Sequence, residues 1–314
     1  MANRTIRVVV SCSNKKKLAA PDDLKINNYQ DNLSKKIKLW NNRLNNPATK
    51  QYPALEMYQG AHWSVAKQIH GFSSKENLDV ELWIASAGYG LIKADTLIES
   101  YDATFAKGSK ESVADEGKTQ CWDLLALRKR SHAANLTALA VENPNDLLAV
   151  ALSSTYLKAL ETDLLNVASL LPREQLFLIS ASVTKKQSEL SCFHLPADAR
   201  LVNKLGGNLI SLNARIALHL LEKETLHKWN RNKIDKYFNE STKNQLPFKK
   251  FKREKLTDEQ IVSFITEQIS RATKQENKTG FSQTRLLRQL RDTGHACEQT
   301  RFRKIFEKTL NDRP

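Results

Sequence analysis

Four short apolar runs, at residues 6–10, 80–85, 147–152 and 176–179, constrain this chain more than any other feature, because each has the length and composition of a strand buried on both faces. A weaker run lies at 208–211. Between them, residues 55–69, 155–171 and 212–226 carry apolar side chains at helical spacing, the last after a Gly206-Gly207 turn. Strands alternating with helices predict an α/β fold, a central sheet flanked by helices. In such sheets ligands bind at the carboxyl ends of the strands, so the residues just after each run are where chemistry is expected. Here they are small and polar: Ser11-Cys12-Ser13-Asn14-Lys15-Lys16-Lys17, Ser86-Ala87-Gly88-Tyr89-Gly90, Ser153-Ser154-Thr155-Tyr156 and Ser180-Ala181-Ser182.

The pattern changes near residue 223, where long charged helical stretches replace the alternation. This predicts an α/β domain over 1–222 and a basic helical region over 223–314. Residues 223–314 hold 22 Lys and Arg against 12 Asp and Glu, so ten of the chain's net +15 charges sit in its last third. A field of that sign attracts polyanions through counterion release, and double-stranded DNA is the expected partner. Around Phe248 and Phe251 the stretch 249–255 is dense in lysine and arginine; Lys249 and Lys250 read there as phosphate contacts on a linker or arm, with a solvated basic loop as the alternative. No apolar run approaches a membrane span, and the N-terminus lacks the pattern of a signal peptide, so a cytoplasmic setting without a membrane partner is expected. Cys12, Cys121, Cys192 and Cys297 are far apart in sequence, which points to neither a metal site nor a disulfide framework. No cofactor motif is present.

The clearest grip on nucleic acid is a helix pair near the C-terminus. Over 282–293, Leu286, Leu287 and Leu290 fall on one stripe while Arg285, Arg288 and Arg291 share the neighbouring face. Gly294 stops that helix. A second begins after Cys297, with Phe302, Ile305, Phe306 and Leu310 inward and Arg301, Lys304 and Lys308 outward. Two short amphipathic helices joined by a glycine turn predict a helix-turn-helix-like unit. The planar fork of arginine matches phosphate, so Arg285, Arg288, Arg291, Arg301 and Lys304 are read as DNA contacts that position the duplex without reading its sequence.

The polar segments also carry a family signature. Ser11-Cys12-Ser13 with Lys15 and Lys16, followed by Ser86-Ala87, Tyr89-Gly90-Leu91, Asp95, Ile98, Tyr101-Asp102 and Thr104, resembles a group of bacterial proteins over about residues 6 to 220. The group is related to the peroxide-stress DNA-binding proteins and to the uracil-DNA-glycosylase-like domain of archaeosine synthases. Within it the whole chain is similar to the antiviral DNA glycosylases of phage-defence loci. The resemblance implies a uracil-DNA-glycosylase-like fold for residues 1–222, and excision of a glucosylated hydroxymethylcytosine base from phage DNA to leave an abasic site. The Gly-Gln-Asp-Pro-Tyr motif that carries the water-activating aspartate of typical uracil-DNA glycosylases is absent from this chain. The carboxylate must therefore be reasoned from need.

Breaking an N-glycosidic bond builds positive charge on the sugar and negative charge on the base, so a carboxylate is wanted near C1′ and donors near the base. Asp102 is the first candidate and Asp95 the second. Gly88 lets the backbone approach a ligand, Tyr89 or Tyr101 offers a stacking face for an extruded base, and Ser11, Ser13, Ser86 and Asn213 offer hydrogen bonds to it. Lys15, Lys16 and Arg215 are read as phosphate contacts. Ordinary roles stay open: the aspartates and serines as turn or helix caps, Arg215 in a structural ion pair, and His194 as a packed or surface histidine. Two other functions also stay open, a non-catalytic DNA-binding stress or regulatory protein and a transfer-RNA base-exchange enzyme.

Overall fold

The computed structural model describes residues 4–72, 79–106, 108–113, 117–128, 132–183, 185–223, 230–245, 253–274 and 282–311. They fall into two compact units, Met1–Pro247 and Phe248–Pro314.

The strands of the first unit are β1 (Ile6–Ser11), β2 (Tyr52–Pro53), β3 (Val80–Ser86), β4 (Gly90–Lys93), β5 (Leu97–Ile98), β6 (Leu147–Ala151), β7 (Leu176–Ser180) and β8 (His194–Pro196). Six of them form one sheet in the order β4-β3-β1-β6-β7-β8, and β2 pairs with β5 apart from it. All neighbours in the large sheet are parallel except β3 and β4, which make a hairpin. The four apolar runs are thus the four central strands. β1 lies between β3 and β6, and the strand order reverses there, which makes the carboxyl edge between β1 and β6 the place where a sheet of this kind is expected to form its ligand crevice.

A buried cation interrupts the apolar run of β1. Arg7 is only 9% exposed, and its guanidinium pairs with Glu81, its register partner on β3, and with Asp146 ahead of β6. Both acids lie at the amino ends of their strands, opposite the edge that faces the crevice.

Among the described residues the helices of this unit are α1 (Leu33–Leu44), α2 (Ala54–Met57), α3 (Ala61–His70), α4 (Lys118–Ala126), α5 (Leu136–Glu142), α6 (Ser154–Ala159), α7 (Glu161–Leu170), α8 (Val202–Leu205), α9 (Leu212–Glu222) and α10 (Arg231–Lys243). The β1-to-β3 and β6-to-β7 crossovers leave the centre in opposite directions, so right-handed connection puts α3 and α7 on opposite faces. α9 packs beside α3.

Several expected elements change. The helical pattern at 55–69 is broken into α2 and α3, because Tyr58 is drawn into an extended bridge with Lys16 and Gly60 takes φ 106°. The pattern at 155–171 is likewise divided at Leu160. The run at 208–211 is no strand: Asn208 caps a 3-10 turn by accepting from the Ser211 N–H at 3.0 Å, and Ile210 stands 80% exposed with no sheet to cover it. α10 belongs to the first unit, which moves the boundary from 222 to 247. Its Arg231, 2% exposed, donates to the carbonyls of Leu176 and His194, and its Ile234 and Phe238 join the main core.

The second unit contains β9 (Glu254–Lys255), α11 (Asp258–Lys274), α12 (Gln283–Asp292), β10 (His295–Ala296) and α13 (Gln299–Asn311). Ile261, Ile265 and Ile269 of α11 meet Leu286, Leu287 and Leu290 of α12 and Phe302 and Phe306 of α13 in a separate core. β9 and β10 pair in parallel. Leu310 is 39% exposed, and Thr309 is the buried side chain of that last turn, so the inward reading of Leu310 does not hold. Among the described residues no helix is long and apolar enough to cross a membrane.

Glu99, just after β5, has a fully buried side chain held by Arg43 at 2.8 Å and by Ala48 and Thr49. Burial alone would raise its pKa, but these donors prevail and hold it at about 2. Glu99→Gln should therefore cost about 3 kcal/mol at pH 7, since it leaves Arg43 without its buried partner. The unfolded carboxyl titrates near roughly 4.3, so the wild-type advantage is complete above that pH and is lost as the pH falls toward the folded value. Urea denaturation of both proteins at pH 7 and pH 3 should show the gap narrowing.

Candidate functional site

Ser86 ends β3 and organises the carboxyl edge. Its Oγ accepts from the backbone N–H of Gly88 at 3.3 Å and of Tyr89 at 3.0 Å, which turns the chain into β4. The same oxygen is hydrogen-bonded to the hydroxyls of Tyr58 at 3.2 Å and Tyr101 at 2.8 Å, and those hydroxyls lie 2.8 Å apart. Burial pushes both phenols well above their ordinary range, so the network is neutral. Gly88 is required by packing: a Cβ there would lie 2.5 Å from two carbons of the Tyr101 ring.

The lysine run after β1 is divided by its backbone. Lys16 bridges Tyr58 in extended conformation, the Lys17 N–H donates to Met57 and the Lys15 carbonyl accepts from Gln59, so successive side chains point to opposite sides. Lys15 and Lys17 are exposed. Lys16 turns inward and sets its ammonium 4.1 Å from the centre of the Tyr101 ring. Burial lowers its pKa, against the opposing pull of Cys12, Asp102 and Glu111.

Asp102 follows Tyr101 directly. Its backbone is locked by the Leu24 carbonyl at 2.8 Å and the Ile26 N–H at 3.0 Å, while its half-buried carboxylate accepts no hydrogen bond from the described residues. That carboxylate faces the fields of Lys16 and Lys25. Across the crevice, Cys12 Sγ lies 3.0 Å from the Tyr156 hydroxyl, which joins the end of β1 to the segment after β6. His62, on the first turn of α3, has a backbone hydrogen bond with Ser11; its Nε2 is buried without a partner among the described residues, and burial lowers its pKa, so it is neutral at pH 7.

The expected site residues divide accordingly. Asp102, Lys16, Ser86, Tyr101, Gly88 and Ser11 gather at the carboxyl edge. Ser13 is nearby but braces the loop, donating to the Gln59 carbonyl at 2.9 Å and accepting from the Lys15 N–H. Asn213 donates to the Leu152 carbonyl at 2.7 Å and pins the start of α9 to the end of β6. Arg215, held by Ser211 and stacked over Gly207, lines a 330 Å³ groove with Lys204 and Lys223. Asp95 is not brought in: it lies exposed on the turn after β4, and the antiparallel register carries β4 back toward the amino end of β3. Tyr89 and Tyr101 are at most 2% exposed, and the Tyr89 hydroxyl accepts from the Glu99 N–H, so both rings are core rather than open stacking faces.

In the second unit Arg285, Arg288 and Lys304 are exposed. Arg291 instead donates to the Cys297 carbonyl at 2.9 Å, and Arg301 to Asp258 and the Leu256 carbonyl, so these two hold the bundle together. Lys249 and Lys250 lie outside the described residues. His194 donates to the Ser180 carbonyl at 2.9 Å as a packed histidine.

Comparisons with protein-family models, with curated proteins and with solved structures find no match.

Sequence reasoning passed over Tyr58, His62 and Glu111, and placed Tyr156 in a polar segment after a strand without giving it a role. Tyr58 and His62 fall inside the helical pattern at 55–69, and Glu111 lies in a stretch without periodicity. Gly88→Ala should cost about 1–3 kcal/mol through overpacking against Tyr101. Thermal denaturation measures that loss.

Proposed function

We propose that the first unit is a DNA N-glycosylase that removes a modified base, α-glucosyl-hydroxymethylcytosine, from phage DNA and leaves abasic sites, an antiviral activity. The observation that carries the reading is a carboxylate without a described hydrogen-bond donor, Asp102, beside an inward lysine at the carboxyl edge where the strand order reverses. The class of substrate rests on the resemblance of the Ser11 to Lys17 and Ser86 to Thr104 segments.

In this reading an extruded nucleotide enters at the crevice with its C1′ toward Asp102. As the glycosidic bond lengthens, the sugar gains cationic character, and a fixed carboxylate stabilises that charge and orients the attacking water. Lys15 and the Lys204, Arg215 and Lys223 groove offer cations to flanking phosphates. In the second unit Arg285, Arg288 and Lys304 are the exposed cations of the bundle surface that the reading assigns to the duplex backbone, through a helix-turn-helix-like pair formed by α12 and α13.

Phage DNA carrying glucosylated hydroxymethylcytosine should become alkali-labile on incubation with the protein, and Asp102→Asn should abolish this. If neither modified nor unmodified DNA loses a base, the glycosylase reading fails and salt-dependent binding without chemistry takes its place. Replacing Arg285 and Arg288 with alanine should weaken binding to any duplex alike and lower the salt slope by about 2, because each arginine neutralises one phosphate. Arg301→Ala should instead lower the melting temperature, because it removes the tie to Asp258.

A further inference from the structure

The inward lysine is more than a phosphate contact by position. Lys17 is spoken for by Glu56 at 3.8 Å and the Tyr52 ring, and Lys25 by Asp22 at 2.6 Å. The Lys16 head group rests on the Tyr101 ring, with no ion pair to a described carboxylate that would lock its proton. The clamp of Lys15 and Lys17 against Gln59 and Met57 fixes its backbone, and the hydroxyl network of Tyr58, Ser86 and Tyr101 fixes the ring beneath it. The residue after that ring is Asp102, which acts on Lys16 through space without bonding to it. A lysine amine without an ion pair and an unbonded carboxylate held on one rigid support are two groups that an imine-forming lyase can use.

We infer that the site has a second activity, strand cleavage at abasic sites, in which the Lys16 amine forms an imine with the deoxyribose and Asp102 takes its C2′ proton. This rests on the reading that the crevice admits a nucleotide sugar. The neutral amine adds to the C1′ aldehyde of the ring-opened sugar, forming a C–N bond while the carbonyl oxygen takes up a proton. The carbinolamine then loses water to give a protonated imine. Asp102 removes a C2′ proton, the C–H electrons become the C2′–C3′ double bond, and the C3′–O bond breaks with the phosphate as leaving group. Water hydrolyses the imine, which returns Lys16 as the amine and releases an unsaturated aldehyde on the cut strand. Burial over the Tyr101 and Tyr58 rings lowers the lysine pKa, against the pull of Cys12, Asp102 and Glu111, and so raises the neutral fraction that such a step uses.

The test uses the full chain and a duplex in which an abasic site has been made beforehand from uracil, so that it does not depend on which base the protein releases. Sodium borohydride should trap a covalent adduct, and peptide mapping of the wild-type protein should find the reduced sugar on Lys16. Lys16→Arg should lose at least tenfold of both adduct and cleavage, whereas Lys17→Arg, at an exposed lysine paired with Glu56, should lose neither. Asp102→Asn should keep the adduct and slow cleavage at least tenfold. An adduct mapped to another lysine, or none at all, overturns the inference. Base release from modified phage DNA, assayed in parallel, separates the two readings: release without a Lys16 adduct sinks only the lyase, and an adduct without release sinks only the glycosylase.

Discussion

The carboxyl edge of the sheet depends on one oxygen. Ser86 Oγ is fully buried where β3 ends, and around it converge two backbone N–H groups and two tyrosine hydroxyls. Those hydrogen bonds tie three remote parts of the chain to a point: the hairpin into β4, the extended break between α2 and α3 that carries Tyr58, and the segment that carries Tyr101 and Asp102. A buried hydroxyl without partners costs about 1–3 kcal/mol, so the cluster is stable only when all its members are present together. The candidate site is therefore assembled by hydrogen bonding in the core, with Lys16 and Asp102 arranged on top of that support.

Charge is sorted by local geometry in the same way. Three consecutive lysines have different fates because an extended backbone alternates its side chains, and the tie to Tyr58 decides which one faces in. In the second unit, the arginines of a basic helix pair are divided between solvent and structure. Arg285 and Arg288 stay exposed, while Arg291 and Arg301 satisfy carbonyls at the ends of elements and Arg301 also pairs with Asp258. Net charge counts them equally, yet the exposed ones are the more open to phosphate. Arg7 shows the opposite limit, a cation retained inside a central strand because Glu81 and Asp146 come to it.

Much of the scaffold was legible from composition and period. The four apolar runs are the four central strands, since a strand covered on both faces must be apolar almost throughout. The polar residues after them do line one edge, because parallel strands end together. The basic, amphipathic character of 282–311 likewise gave its two helices, for the leucine and phenylalanine stripes are set by a period of 3.6 residues. Shorter strands such as β4 and β8 left no comparable mark, being too brief for a pattern.

The sequence by itself determined the class of fold, the edge at which ligands are sought and the excess of positive charge, all of which follow from local period and residue type. Only the tertiary structure decided that Asp102 and not Asp95 joins Lys16, that Tyr89 and Tyr101 are core, and that α10 belongs with the sheet. Each of these depends on register or on partners distant in the chain. Asp95 and Asp102 are seven residues apart and chemically identical. The antiparallel turn of β4 carries one of them away from the crevice, and the hydroxyl network around Ser86 holds the other at it.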